Sequence, residues 1–276
     1  MVRWISDRTA ITRRTSWAGE VRNVSLLVAI GVTSEGFREM LGICEGAKGE
    51  ADKKSHCDFP PNKSGWSGFL RYLVDRGLSG VELIVSDACR GLIESVAEYL
   101  PDARWQRCIV HFYRNVFSHV PATKVREVAH MLKAINAQES REAATEKAEA
   151  VIAELRRQRM GKAADLLEER IQETLTFYAF PDRRAGVRHW SEDNGEWIKL
   201  RTNNPLERLM KEIRRRTKVV GAFPDGKSCL NLAAARLRHV AGTEWSTRRY
   251  MNMQPLHEMK LQPNGVDMYN SARHLL

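Results

Sequence analysis

Three kinds of hydrophobic pattern follow one another along this chain. Arg22 to Val32, RNVSLLVAIGV, is rich in β-branched and aliphatic residues and reads as a buried strand. The turn Thr33-Ser34-Glu35-Gly36 leads into Gly36 to Cys44, expected to be its antiparallel neighbour. Val81 to Val85, VELIV, is a second short apolar run that passes straight into Ser86-Asp87. Between them, Ser67 to Arg76 carries Phe69, Leu70, Leu73 and Val74 at helical spacing. Gly49 to Asn62, polar and holding Pro60-Pro61, reads as a loop. A helix is expected from about Arg90 to Leu100, and another strand from Trp105 to Val110.

The pattern then changes period. From Phe112 to Phe180 helix formers dominate: Val125, Val128, Leu132 and Ile135 recur at helical spacing, as do Ala144, Ala148, Ile152 and Leu155. A further helix is predicted from Lys162 to Tyr178 and a loop from Arg183 to Gly195. Helices resume from about Pro205 and Gly226. Strands first, then a long helical block, then more helix: this order fits one mixed α/β sheet carrying a helical insertion better than two independent domains. The expected divisions are 1–110 for the first part of a core, 111–200 for the insertion, 201–253 for the closing helices, and 254–276 for a tail.

Composition narrows the class. At 276 residues and 43% hydrophobic content the chain can bury a full core. No apolar run reaches the roughly 18 residues of a membrane span, and the N-terminus has no signal-peptide pattern. Cys44, Cys57, Cys89, Cys108 and Cys229 are an odd, scattered set, which suits reduced thiols in a cytoplasm. The net charge is +10, and most of the excess lies between Arg201 and Tyr250, where twelve basic residues face four acidic ones. So concentrated a cationic segment attracts polyanions, nucleic acid being the commonest; a solvated basic face, or contact with an anionic membrane, is the plain alternative.

Two acids stand out. Asp87 ends an apolar strand, where it can either cap the next helix or point into the crevice in which α/β sheets bind ligands. Glu207 follows Asn203-Asn204-Pro205; with Asn204 as N-cap and Pro205 as N1 it completes a capping box. Taken as a converging pair, the two carboxylates suit Mg²⁺ and the phosphodiester chemistry that paired metals support. Cys108-x-x-His111 supplies two zinc-type ligands without a second pair at finger spacing, so a packed cysteine and a hydrogen-bonded histidine are the expectation. Arg208, Lys211, Arg214, Arg215, Arg216, Lys218, Arg236 and Arg238, with Arg248 and Arg249, are candidate phosphate contacts. Trp245 and Tyr250 lie among them, as base-stacking platforms or as packing residues.

At these residues the chain resembles the Mutator-type transposases of bacterial insertion sequences. The matching stretches include SWAGEVRNVSLLVAIGV, GLSGVELIVSDACRGLIESVAEYLPDARWQRCIVHFYRNVFSHVP and RTNNPLERLMKEIRRRTKVVGAFPDG. The resemblance runs from about Ser16 to Met253. It implies a ribonuclease-H-like mixed sheet with a large all-helical insertion before the last catalytic helix, and three acids, two Asp and one Glu, that hold Mg²⁺ or Mn²⁺. Asp87 matches the second Asp and Glu207 the Glu. Cys108 and His111 match a Cys-or-Asp-x-x-His signature tied to the active site. For the first Asp, the WISDRTAITRR stretch offers only Asp7, somewhat upstream of the family position, with Thr9 nearer to it. Either the register is shifted and Asp7 serves, or that ligand is lost.

The implied activity is DNA transposition: strand cleavage and strand transfer at element ends. The implied partners are DNA, as element ends and target, and further copies of the chain, with no membrane. The chain begins almost at the core, whereas family members carry a DNA-recognition region before it, and the segments Gly49 to Asn62 and Arg183 to Gly195 are longer than the family's. These departures raise the expectation of a truncated copy whose fold survives better than its activity, and with it the alternative of a protein that binds DNA or intact transposase without cleaving.

Overall fold

The computed structural model describes residues 2–6, 13–17, 20–24, 26–46, 63–180, 196–220 and 223–261. Two of the expected loops, 49–62 and 183–195, and Asp7 lie outside the described residues.

A five-stranded mixed sheet forms the centre. Its strands are β1 (Val2–Ser6), β4 (Leu26–Val32), β5 (Arg38–Glu45), β6 (Leu83–Ser86) and β7 (Arg104–Arg107), in the spatial order β5-β4-β1-β6-β7. β4 runs antiparallel to both β1 and β5, whereas β1, β6 and β7 are parallel. In the β1–β6 pair Trp4 lies opposite Val85, so both chains leave the sheet at the same edge. A separate antiparallel ribbon pairs β2 (Arg13–Trp17) with β3 (Glu20–Val24).

β4 is buried along its whole length, because both faces of the sheet are covered. Alternate residues serve opposite layers. Leu27 and Ala29, with Ile84, pack under α1 (Lys63–Asp75) and α2 (Arg90–Tyr99), which bring Trp66, Phe69, Leu70 and Leu92. Leu26, Val28, Ile30 and Val32, with Leu83 and Val85, face a much larger helical layer. It is built from α3 (Ile109–Phe117), α4 (Val125–Ile135), α5 (Arg141–Arg157), α6 (Gly161–Arg170), α7 (Glu196–Leu200), α8 (Asn204–Val220) and α9 (Gly226–Ala241), followed by the short α10 (Glu244–Thr247) and α11 (Gln254–Leu261). Most of the periodic residues read from the sequence are buried, Val128, Leu132 and Ile135 in α4 and Ala144, Ala148, Ile152 and Leu155 in α5, while Val125 is only half-buried. Side-chain caps start three of these helices. Ser140 accepts from the Ala143 N–H, Asp225 from the Ser228 N–H and, at α10, Thr243 from the Trp245 N–H, each satisfying an N–H that the helix leaves open.

Four boundaries depart from the pattern. The single run from Arg22 to Val32 is two strands, β3 and β4, which belong to different sheets. The strand expected through Val110 ends at Arg107, and α3 begins at Ile109. The helix expected from Lys162 to Tyr178 stops at Arg170 and continues as two short 3₁₀ turns, Ile171–Thr174 and Thr176–Ala179. The buried Gln106 side chain donates to the Thr174 carbonyl and accepts from the Phe177 N–H. It takes backbone groups that a continuous α-helix would have satisfied itself, and so ties β7 to the helical layer. Finally, α8 starts at Asn204, one residue earlier than the capping-box reading requires.

The segment before α11 closes the sheet edge. Gly36, in the β4–β5 turn, has φ +91°, a region that glycine tolerates at little cost. Its carbonyl accepts from the N–H groups of Tyr250 and Met251. A side chain at position 36 would collide with the Met251 carbonyl. Phe37 bridges to Arg249, and His257 Nε2 meets the Ser34 carbonyl at 3.0 Å.

Candidate active site

Asp87 is the first residue beyond β6 and is buried. Its Oδ1 accepts from the Ala88 N–H at 2.8 Å, and its carbonyl accepts from the Cys89 N–H and the Ser86 hydroxyl. The helix-cap reading is corrected here: Cys89 is the N-cap of α2, without a side-chain bond. Trp105 Nε1 donates to Ser86 Oγ at 2.8 Å, which braces the strand end from β7.

After β7 the chain stays beside that end, because the Cys108 N–H donates to the Ser86 carbonyl at 2.7 Å. Helix α3 then carries His111 one turn inward. The start of α8 is fastened to the same place twice. The Ile109 N–H donates to the Arg201 carbonyl, and the Cys108 thiol donates to Asn203 Oδ1 at 3.2 Å. Burial raises the pKa of this thiol, so it stays protonated and able to donate. The Asn203 carbonyl accepts from the N–H groups of both Leu206 and Glu207. Asn203 therefore holds the capping position, and Glu207 sits a full turn inside the helix instead of at N3. The carboxylate is turned away from the helix start, toward α3.

The outcome is a convergence. His111, 2% exposed, places Nδ1 4.0 Å from Asp87 Oδ2 and Nε2 3.7 Å from Glu207 Oε1. Acids 120 positions apart thus face the two nitrogens of one ring, which spaces them. Glu207 Oε1 is buried without a hydrogen bond, while Oε2 lies 3.6 Å from Arg214. Among the described residues no group of three or more His, Cys, Asp and Glu side chains is placed to hold a metal ion. The carboxylate oxygens on either side of the imidazole are hard donors, and Glu207 Oε1 is an orphaned buried atom. That suits a cation which keeps several waters, as Mg²⁺ does.

Beside the pair lies an open cleft of about 540 Å³, lined by Arg114, Asn204, Glu207, Arg208, Lys211 and Arg214. Helical spacing explains the stripe, since Glu207, Lys211 and Arg214 fall on one face of α8. The other candidate cations divide. Arg215, Arg216 and Arg236 all pair with Glu212, at 2.9, 3.3 and 2.6 Å. Their pull holds the Glu212 carboxyl down at about 2. Lys218 and Arg238 are exposed near the ends of α8 and α9. Arg114 and Asn203 were missed by sequence reasoning. Arg114 stands three residues after His111, the spacing that puts two side chains on one helix face.

Two acids at the end of a parallel strand pair thus stand beside a groove lined with arginine and lysine, whose charge suits an anionic ligand. The chain belongs to the Mutator family of transposases: it matches the family described as "Transposase, Mutator family" over residues 5–247. It is 35% identical to the transposase of insertion sequence element IS1081 from Mycobacterium tuberculosis over 248 residues, 90% of this chain and 54% of that protein. It is also 35% identical to the ISRM5 transposase of Rhizobium meliloti, over 88% of this chain and 55% of that protein. Identity to the transposase of IS256 in transposon Tn4001 from Staphylococcus aureus is 31%, over 84% and 54%. The chain spans about half the length of the curated relatives it matches. Among the described residues no helix is long and apolar enough to cross a membrane.

Proposed function

We propose that this chain is the catalytic core of an insertion-sequence transposase, and that Asp87 and Glu207 hold a divalent cation, Mg²⁺ or Mn²⁺, for DNA strand cleavage and strand transfer. The observation that carries the reading is the meeting of both acids at His111. The strand order supports a ribonuclease-H-like core: three antiparallel strands first, then two parallel ones on the far side of β1. In this reading residues 111–200 form the helical insertion, between the 1–110 part of the core and the closing segment 201–253. Asp7 directly follows Ser6, the last residue of β1. That position in the chain, next to a strand parallel to β6, supports Asp7 as the third acid over loss of the ligand.

When bound, the cation supplies Lewis acidity to the attacking and leaving oxygens of the phosphodiester. The chain's own residues do the rest. Arg114, Arg208, Lys211 and Arg214 hold the DNA backbone in the cleft by charge and by directed N–H groups. His111 fixes the separation of the carboxylates. The Cys108–Asn203 bond locks the helix starts that carry His111 and Glu207. Water opens the bond at the element end, and the freed 3′-hydroxyl then attacks target DNA.

The test is cleavage and strand transfer on DNA carrying element ends, with Mg²⁺ or Mn²⁺. Product is expected with the unaltered chain and none with Asp87→Ala. Unchanged activity in that variant removes Asp87 from the mechanism. Salt-sensitive binding without any cleavage favours the DNA-binding alternative.

A further inference from the structure

A second cavity opens on the other side of α8. Its volume is about 420 Å³, and it shares Asn204 and Arg208 with the cleft beside Glu207. That volume falls in the range of roughly 300–1,000 Å³ typical of pockets for small organic ligands. Cations and aromatic rings dominate its rim, through Arg38, Lys199, Arg208, Trp245 and Tyr250, while Leu209 and Val240 supply apolar wall.

Arg38 is the centre of the arrangement. Its guanidinium carbon lies 4.8 Å from the Trp245 ring centroid and 4.9 Å from that of Tyr250. Lys199 Nζ stands 5.5 Å from the Tyr250 ring. Stacking occupies the π faces of a guanidinium and leaves its N–H groups, which lie in the plane, for an acceptor. Arg38 Nε is buried and has no hydrogen-bond partner among the described residues. Burial holds the Arg38 pKa below its ordinary value, and the charges of Arg248 and Arg208 push the same way, so an arriving anion relieves a cost already present. The acid on this rim, Glu212, is engaged by three arginines and does little to offset the positive potential.

We infer that this cavity is a subsite for one unpaired nucleotide of the DNA strand that leaves the cleft beside Glu207. Its phosphate is held by Arg38, Lys199 and Arg208, and its base lies against Trp245 and the Leu209–Val240 wall. A duplex backbone alone needs no aromatic platform, whereas a splayed base gains from both the ring and the apolar wall. Arg208 lies on both rims and gives the strand a continuous cationic track from one cavity to the other. The inference rests on the nucleic-acid reading of the cleft, but not on its catalytic step.

Binding of the full chain is therefore measured in EDTA, where cleavage plays no part. The probes are a blunt duplex and the same duplex with a short single-stranded extension, 2-aminopurine occupying its first unpaired position. The extended duplex is expected to bind tighter by on the order of tenfold, the stacking worth of one base, with a change in 2-aminopurine fluorescence. Trp245→Ala removes that preference and leaves the blunt duplex unaffected; Trp245→Phe retains it; Lys199→Gln weakens the extended duplex more than the blunt one. Equal affinity for both probes in the unaltered chain overturns the inference, as does equal weakening of both by Trp245→Ala or Lys199→Gln. A chain that fails to cleave can still pass this test, and one that cleaves can still fail it.

Discussion

The Cys108 thiol donates to Asn203 Oδ1 at 3.2 Å, joining residues 95 positions apart. One opens α3 and the other opens α8, so this buried bond fixes the helix starts that carry His111 and Glu207. Asn203→Ala leaves a buried thiol without its acceptor, at a cost of about 1–3 kcal/mol. Cleavage is expected to fall further than this loss of stability alone would cause, because Glu207 then shifts relative to His111. Thermal melting and cleavage rate, measured below the melting transition, separate the two effects. An enzyme that loses stability but keeps its full rate contradicts the positioning role.

Glu207→Gln and Asp87→Asn keep side-chain volume and remove charge. Each is expected to reduce cleavage to background while changing the melting temperature by no more than a few degrees. In the unaltered chain Mg²⁺ is expected to raise the melting temperature, since a ligand bound only by the folded state stabilises it. Either substitution should abolish that rise. Melting curves with and without Mg²⁺ check this without any need for activity.

The cations of α8 and α9 are not equivalent. Arg208, Lys211 and Arg214 line the cleft, while Arg215, Arg216 and Arg236 are drawn to Glu212. Replacing Arg214 or Lys211 by Ala is expected to weaken duplex binding and to lower the salt slope by about 0.9 for each phosphate no longer neutralised. Arg216→Ala should leave that slope nearly unchanged. A titration of affinity against salt concentration distinguishes them, and equal slopes for Arg214→Ala and Arg216→Ala contradict the division.

Glu212 also sets an acid limit. Its carboxyl is lowered from 4.5 to about 2, chiefly by the hydrogen bond from Arg215. A depressed carboxylate contributes stability that is present above its unfolded value and lost as pH falls through its folded one. The difference in melting temperature between the unaltered chain and Glu212→Gln is therefore expected to be full above about pH 5 and to shrink toward pH 2. A difference that stays constant over this range rules out the ion-pair origin.

Periodicity carried much of the architecture, and it failed where tertiary partners decide. The helices α4 and α5 were legible because apolar residues repeat at 3.6 spacing over several turns. Nothing in RNVSLLVAIGV reveals that β3 joins a ribbon and β4 the central sheet, since choice of partner is not a local property. Cys108 to Val110 is apolar enough to prolong β7, yet Cys108 bonds to Ser86 and the chain turns into α3. At the site, Asp87, Glu207, Cys108 and His111 stand out in the sequence as residue types in their local context, and the family resemblance adds the roles it implies for them. Which arginines are tied up was written in the sequence all the same: Arg215 and Arg216 stand three and four residues after Glu212, where helical ion pairs form. Arg236 could not be read that way, because it reaches Glu212 from another helix.

The contact between the Gly36 turn and the Tyr250-Met251 backbone has a consequence for synthesis. His257 meets Ser34 across 223 positions of sequence, so the margin of the central sheet cannot be finished while the ribosome is still making the helices. Contacts of such span slow folding, because a long loop must close before they give any return. The turn between β4 and β5 therefore waits for its partners until the segment before α11, and α11 itself, have emerged.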